Sequence, residues 1–305
     1  MWLILAFLSA AMLGCYDSFK KQALKGNAVI PVLFLNTLFS SLIFLPFILL
    51  SSTTDVLDGT VFQTARGGWE MHKFIVLKAL IVLSSWILGY FGMKHLPLTI
   101  VGPINATRPV MVLVGALLVF GERLNMWQWI GVLLAVASFL MLSRSGKKEG
   151  IDFKHDHWIY MIVGAAALGA VSGLYDKFLM APVESGGVGL DRMMVQSWYN
   201  IYQCFMMGAM LMLLWWPKHE QTTPFHWSWS IVGVSVFLST ADFFYFYSLS
   251  MPDAMISIVS MVRRGSVIVS FMFGAMFFHE KNLKAKAVDL ALVLLGMLFL
   301  YIGSR

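Results

Sequence analysis

Residues 14–19 read Gly14-Cys15-Tyr16-Asp17-Ser18-Phe19, and residues 173–178 read Gly173-Leu174-Tyr175-Asp176-Lys177-Phe178. The two stretches agree at Gly, Tyr, Asp and Phe, and each closes a long apolar run. A second correspondence lies further along. Leu96-Pro97, a long apolar run and Gly121-Glu122-Arg123-Leu124 recur as Met251-Pro252, a long apolar run and His279-Glu280-Lys281-Asn282-Leu283. The separations of the two pairs agree to within a short insertion or deletion, so the chain reads as a tandem duplication.

The duplicated unit is a membrane unit. Of 305 residues, 59% are hydrophobic and 12% charged, whereas soluble domains carry about 25% charged residues. Apolar runs near 2–20, 29–50, 72–93, 97–119, 125–143, 157–179, 191–215, 227–249, 252–278 and 285–303 are each long enough to cross the hydrocarbon as a helix. The runs do not alternate, which excludes a barrel and leaves an all-α, polytopic membrane protein of about ten spans. The polar connection Arg144-Ser145-Gly146-Lys147-Lys148-Glu149-Gly150 divides the chain into five spans in residues 1–150 and five in 151–305. An odd number of spans per half turns the second half upside down relative to the first, the inverted-repeat arrangement of many transporters.

Other classes find little support. Met12-Leu13-Gly14-Cys15 resembles a lipoprotein cleavage site, but a basic n-region is missing, and cleavage would remove a helix whose partner in the second half is retained. Cys15 and Cys204 supply no disulfide framework. The net charge of +6 sits mostly at the ends of apolar runs, where it marks membrane boundaries rather than a nucleic-acid surface. His155-Asp156-His157 is the one cluster suggestive of metal and lacks further matched ligands. With no phosphate-binding loop, paired-histidine zinc motif or nucleophile elbow, neither an enzyme nor a cofactor is expected. Many tryptophans fall near span ends, as an aromatic belt requires.

Ionisable groups at bilayer depth cost at least about 2.5–3.5 kcal/mol each on insertion scales and normally face a protein interior. Arg108 lies mid-span in the fourth run, and Arg263 and Arg264 lie mid-span in its counterpart, the ninth. Asp253, Ser257, Ser260 and Arg264 share one helical face, expected to line a cavity, while Arg263 points about 100° away toward a structural role. Guanidinium offers paired donors to carboxylate or phosphate, so Arg108 and Arg264 suit an anionic substrate. The competing reading pairs the arginines with Asp242, which shares a polar face with Ser239 and Tyr245. Gln196, Tyr199, Asn200 and Gln203 form a stripe on the seventh run, with Asn36 and Ser40 a lesser one on the second; both could line the pathway or bind helix to helix. Asp17 with Lys20, and Asp176 with Lys177, read as boundary salt bridges or alternating gates. Glu122 and Glu280 read as helix anchors, Lys78 as snorkelling toward the interface near Trp69 and His72, and Asp242 as a group that could exchange a proton.

The fourth span, Ala106-Thr107-Arg108-Pro109-Val110 running to Gly121-Glu122-Arg123-Leu124, resembles that of EamA-like carriers of the drug/metabolite transporter superfamily. The ninth, Val262-Arg263-Arg264-Gly265-Ser266-Val267-Ile268-Val269-Ser270, is similar to the basic pair of the triose-phosphate and nucleotide-sugar branch, where that pair meets substrate phosphate. The resemblance implies a secondary carrier of a small metabolite, lodged in a bacterial cytoplasmic membrane, in contact with lipid and open to proton coupling. The expected site, read from depth, charge and helical spacing, is Arg108, Arg264, Gln196, Tyr199, Asn200, Gln203, Asp242, Tyr245, Ser257, Ser260 and Asn36. Family members are drawn with both termini in the cytoplasm, whereas the loop charges here, taken alone, place both outside. Two other readings stand beside the anion carrier: an exporter of amino acids or amphipathic compounds with structural arginines, and a membrane enzyme or protein handling phosphorylated lipid headgroups.

Overall fold

A computed structural model describes residues 2–111, 125–147, 153–251, 259, 262–278 and 283–303. Its described secondary structure is helical. We number the α-helices α1 (Trp2–Leu24), α2 (Val29–Thr53), α3 (Trp69–His95), α4 (Leu98–Ala106), α5 (Met126–Lys147), α6 (His157–Met180), α7 (Arg192–Met210), α8 (Trp229–Leu249), α9 (Ser266–Met276) and α10 (Leu283–Gly303). Among the described residues, six helices are long and apolar enough to cross a membrane: α1, α2, α3, α6, α8 and residues Lys286–Gly303 of α10. Much of their apolar surface faces outward. Phe7, Leu42, Leu80, Leu133 and Leu298 are each about half exposed or more, as a bundle solvated by lipid requires.

Local chemistry sets the helix ends. Gly26 takes a positive φ of 65° just beyond α1, the left-handed turn that glycine adopts without a Cβ clash. Asp191 caps α7 by accepting from the Met194 amide at 2.8 Å, and Ser228 caps α8. Beyond α7 the chain passes through a π-turn at Leu211–Trp215 and a 3-10 stretch at Trp216–Gln221. The α7 helix is absent from the six apolar spans because it carries the polar stripe Gln196, Tyr199, Asn200 and Gln203, all buried.

The helices pair across the sequence. The most extensive contacts join α1 to α8, α5 to α10, α3 to α6 and α2 to α7, with further packing of α1 on α9, α2 on α8 and α4 on α9. Near one end, the Asn27 side chain donates to the His226 carbonyl at 2.7 Å and accepts from the His226 amide at 2.9 Å, tying the α1–α2 connection to the α7–α8 connection.

The two motif glycines have different surroundings. A Cβ on Gly14 would stand 2.4 Å from Val269 Cβ and 2.9 Å from the Ser266 carbonyl oxygen, whereas a Cβ on Gly173 would meet nothing within 4 Å. Gly14 is therefore a contact point between α1 and α9. Gly14→Ala is expected to destabilise the protein by about 1–3 kcal/mol through overpacking, and Gly173→Ala to leave stability unchanged or raised. Thermal unfolding of the two variants in detergent checks the contrast, and equal melting temperatures would refute it.

Candidate functional site: a charged cavity between the halves

A cavity of about 140 Å³ lies in the bundle, with walls from α1, α3, α4, α6, α7, α8 and α9. Five basic side chains line it, Lys20, Lys78, Arg108, Arg263 and Arg264, together with three carboxylates, Asp17, Asp176 and Asp242.

Each carboxylate has a basic partner. Lys20 lies 3.1 Å from Asp17, one turn away on α1, and sits 4.4 Å above the Tyr16 ring and 5.1 Å above the Tyr90 ring. Asp17 also accepts from Ser270 Oγ on α9 at 3.2 Å. Lys78 of α3 donates to Asp176 of α6, both deeply buried, and packs over the rings of Tyr199 and Phe246. Arg263 donates to Asp242 and lies 4.2 Å above the Tyr245 ring, while the Tyr199 hydroxyl donates to the second oxygen of Asp242 at 2.8 Å. An aromatic face next to each cation adds a cation–π attraction that a low-dielectric cavity strengthens.

Two basic groups remain. Arg108 donates to Asn105 Oδ1, a neutral acceptor, at 3.0 Å, and among the described residues Arg264 has no hydrogen-bond or salt-bridge partner. The Arg108 guanidinium lies against Gly169 of α6. A Cβ there would come 2.7 Å from Nη1 and 2.8 Å from Cζ, so the glycine makes its seat.

Both arginines adjoin a helix interruption. The chain turns at Thr107, whose amide bonds the Ile104 carbonyl at 3.2 Å, and resumes as helix over 108–111. Residues 262–264 are helical and end in a turn at Gly265, whose amide bonds the Val262 carbonyl at 2.9 Å, before α9 starts. Interrupted helices in membranes occur where backbone lines a cavity or packs within protein.

The structure distributes the expected site residues unevenly. Arg108, Arg264, Tyr199, Asp242 and Tyr245 line the cavity. Asn36, Gln196, Asn200 and Gln203 do not; they are buried in a separate seam between α2, α7 and α8. The stripe on α7 serves two neighbours: Tyr199 lies at its cavity edge, while Gln196 donates to the Ser239 carbonyl of α8 and the Asn200 carbonyl accepts from Ser41 of α2. Ser257, Ser260, Asp253, Glu122 and Glu280 lie outside the described residues. Lys78 corrects its expected role, since it begins more than two turns inside α3, too deep to snorkel, and pairs with Asp176 instead. Among the described residues, no group of three potential metal ligands converges.

Residues 1–144 match the profile of the EamA-like transporter family. That family belongs to the drug/metabolite transporter superfamily, and its match over residues 1–144, together with the six long apolar helices, indicates an integral membrane protein and points to transport of a small molecule. A crystal structure of another protein shares the fold of this chain with a TM-score of 0.67 and 12% identity, over 100% of this chain and 98% of that one. None of the curated proteins matches in sequence.

The buried Lys78–Asp176 pair gives a stability prediction. Removing one partner strands a buried charge, so Lys78→Met is expected to cost about 3–5 kcal/mol, with much of the loss recovered in Lys78→Met/Asp176→Asn. A double-mutant cycle by denaturant unfolding checks this, and additive losses would show that the pair is not coupled.

Proposed function

We propose that the protein is a secondary carrier of a small anionic metabolite, bound in the central cavity by Arg108 and Arg264. The observation that carries the reading is the charge balance of the cavity wall. Among the described residues, three carboxylates of the wall are each matched by one of three basic groups, which leaves two guanidiniums facing the cavity without a carboxylate. A charge in a low-dielectric interior is costly unless paired, and a carboxylate or phosphate ligand supplies the missing partner with geometry suited to two forked donors. Tyr199 and Tyr245 supply aromatic wall for the rest of the molecule. The similarity of the stretch around Arg263 and Arg264 to the phosphate-handling branch points the same way.

The mechanism we propose is alternating access by two inverted five-helix repeats, residues 1–150 and 151–305. The helix pairing favours it. Exchanging each helix with the one five places on turns the α1–α8 contact into α6–α3 and maps α2–α7, α4–α9 and α5–α10 onto themselves, so the principal contacts form a set that the exchange leaves unchanged. The interruptions at Thr107 and Gly265 fall in the two exchanged helices. In this reading the chain crosses the membrane ten times, and Lys78–Asp176 and Asp17–Ser270, which bridge the halves, break and re-form as the cavity changes sides. Asp242 sits where a proton could be exchanged with the cavity. The bacterial cytoplasmic membrane is the proposed location.

Thermal unfolding of the purified protein against phosphorylated metabolites, dicarboxylates, amino acids and organic cations tests the reading, because a ligand of the folded state raises the melting temperature. One anionic class is expected to stabilise the wild type and to lose at least about tenfold in affinity, roughly 1.4 kcal/mol, in Arg264→Gln. Flux of that class into liposomes should fall in parallel. Stabilisation by amines that survives Arg264→Gln would overturn the proposal.

A further inference from the structure

A second polar region lies apart from the cavity, in the seam where α2, α7 and α8 meet. Ser235 Oγ donates to the Asn36 carbonyl at 3.3 Å, Ser239 Oγ donates to Ser40 Oγ at 3.3 Å, Ser41 Oγ donates to the Asn200 carbonyl at 2.9 Å, and Gln196 Nε2 donates to the Ser239 carbonyl at 3.2 Å. Three amide side chains without exposed surface belong to the helices of this seam, Asn36 of α2 and Gln196 and Gln203 of α7, the last two sharing one helical face at a spacing of seven residues. Among the described residues, both side-chain polar atoms of Asn36, both of Gln203 and the Gln196 Oε1 have no hydrogen-bond partner.

Buried amide groups without partners are expensive in any apolar interior, and more so where the surrounding solvent is lipid. Their chemistry selects what can satisfy them. A cation would bond the three oxygens and leave the two amide NH2 groups unmet; an anion would do the reverse. Water donates and accepts, and internal water typically makes about three hydrogen bonds to such groups.

We propose that this seam is an internal water site, its waters held by Asn36, Gln196 and Gln203. It is separate from the substrate cavity and adjoins it at one point. Tyr199, one turn from Gln196, donates to Asp242, and Ser239, which accepts from Gln196, lies one turn before Asp242.

Hydroxyl-radical labelling of the intact protein in lipid nanodiscs, with radicals generated from water by X-rays, tests the site. Met207 is fully buried and lies one turn beyond Gln203, so it is oxidised rapidly only if water stands beside it. Labelling of Met207 is expected to be at least about fivefold faster in the wild type than in Asn36→Leu/Gln203→Met, because the substitutions remove the groups that hold the water. If the double variant fails to fold, Gln203→Met alone serves. A silent Met207 in the wild type, or equal labelling in both proteins, overturns the proposal. The measurement needs no substrate, so its result is independent of the anion-carrier reading.

Discussion

Charge inside a lipid-solvated bundle must be matched, and that constraint organises the centre of this protein. The cavity wall brings together Lys20, Lys78, Arg108, Arg263, Arg264, Asp17, Asp176 and Asp242. Each carboxylate is held by a base and each base of a pair also rests near an aromatic ring, so the pairs are fixed in place instead of being free to neutralise any cation in reach. Asp242 is held twice, by Arg263 and by Tyr199. That double hold engages both of its oxygens, and in the function proposed above the positive charge of Arg108 and Arg264 is left for a ligand.

The same pairs fasten the bundle. Lys78–Asp176 joins α3 to α6, and Asp17–Ser270 joins α1 to α9. Between lipid-facing helices the hydrophobic effect contributes little, because lipid tails are as apolar as leucine; close packing and polar contacts must hold the helices together. Gly14 against Val269 and Gly92 against Ile162 provide close approach, and the buried ion pairs provide direction. In the alternating-access mechanism proposed above, breaking such contacts demands an equal replacement from bound substrate and the exchanged partners.

Much of this was legible in the sequence, and the illegible parts have physical causes. Arg108 and Arg264 announce themselves because a permanent charge in a long apolar run has to face inward. The stripe on α7 announces a buried polar face, but periodicity gives one angle per residue and cannot say which of two inner neighbours that face meets; Tyr199 reached the cavity and Gln196 the seam. Lys78 was misleading because a lysine near Trp69 and His72 looks like an interface residue. Only the start of α3 at Trp69 shows its depth, about 13 Å along the helix, and its partner Asp176 lies 98 residues away, beyond any local pattern.

Gly14 and Gly173 hold the same place in the repeated motif, yet one is pressed against a neighbouring helix and the other borders open space. In the proposed carrier of two inverted halves, two copies of one motif in unlike surroundings correspond to halves caught in different shapes. For a carrier built as an inverted pair, the opposite-facing form follows by letting each half take the shape of the other. Gly173 would then be the one pressed and Gly14 the one beside the opening. On that view neither glycine is spare: each is idle in one half of the transport cycle and sterically indispensable in the other, so a larger residue at either position would trap the protein facing a single side.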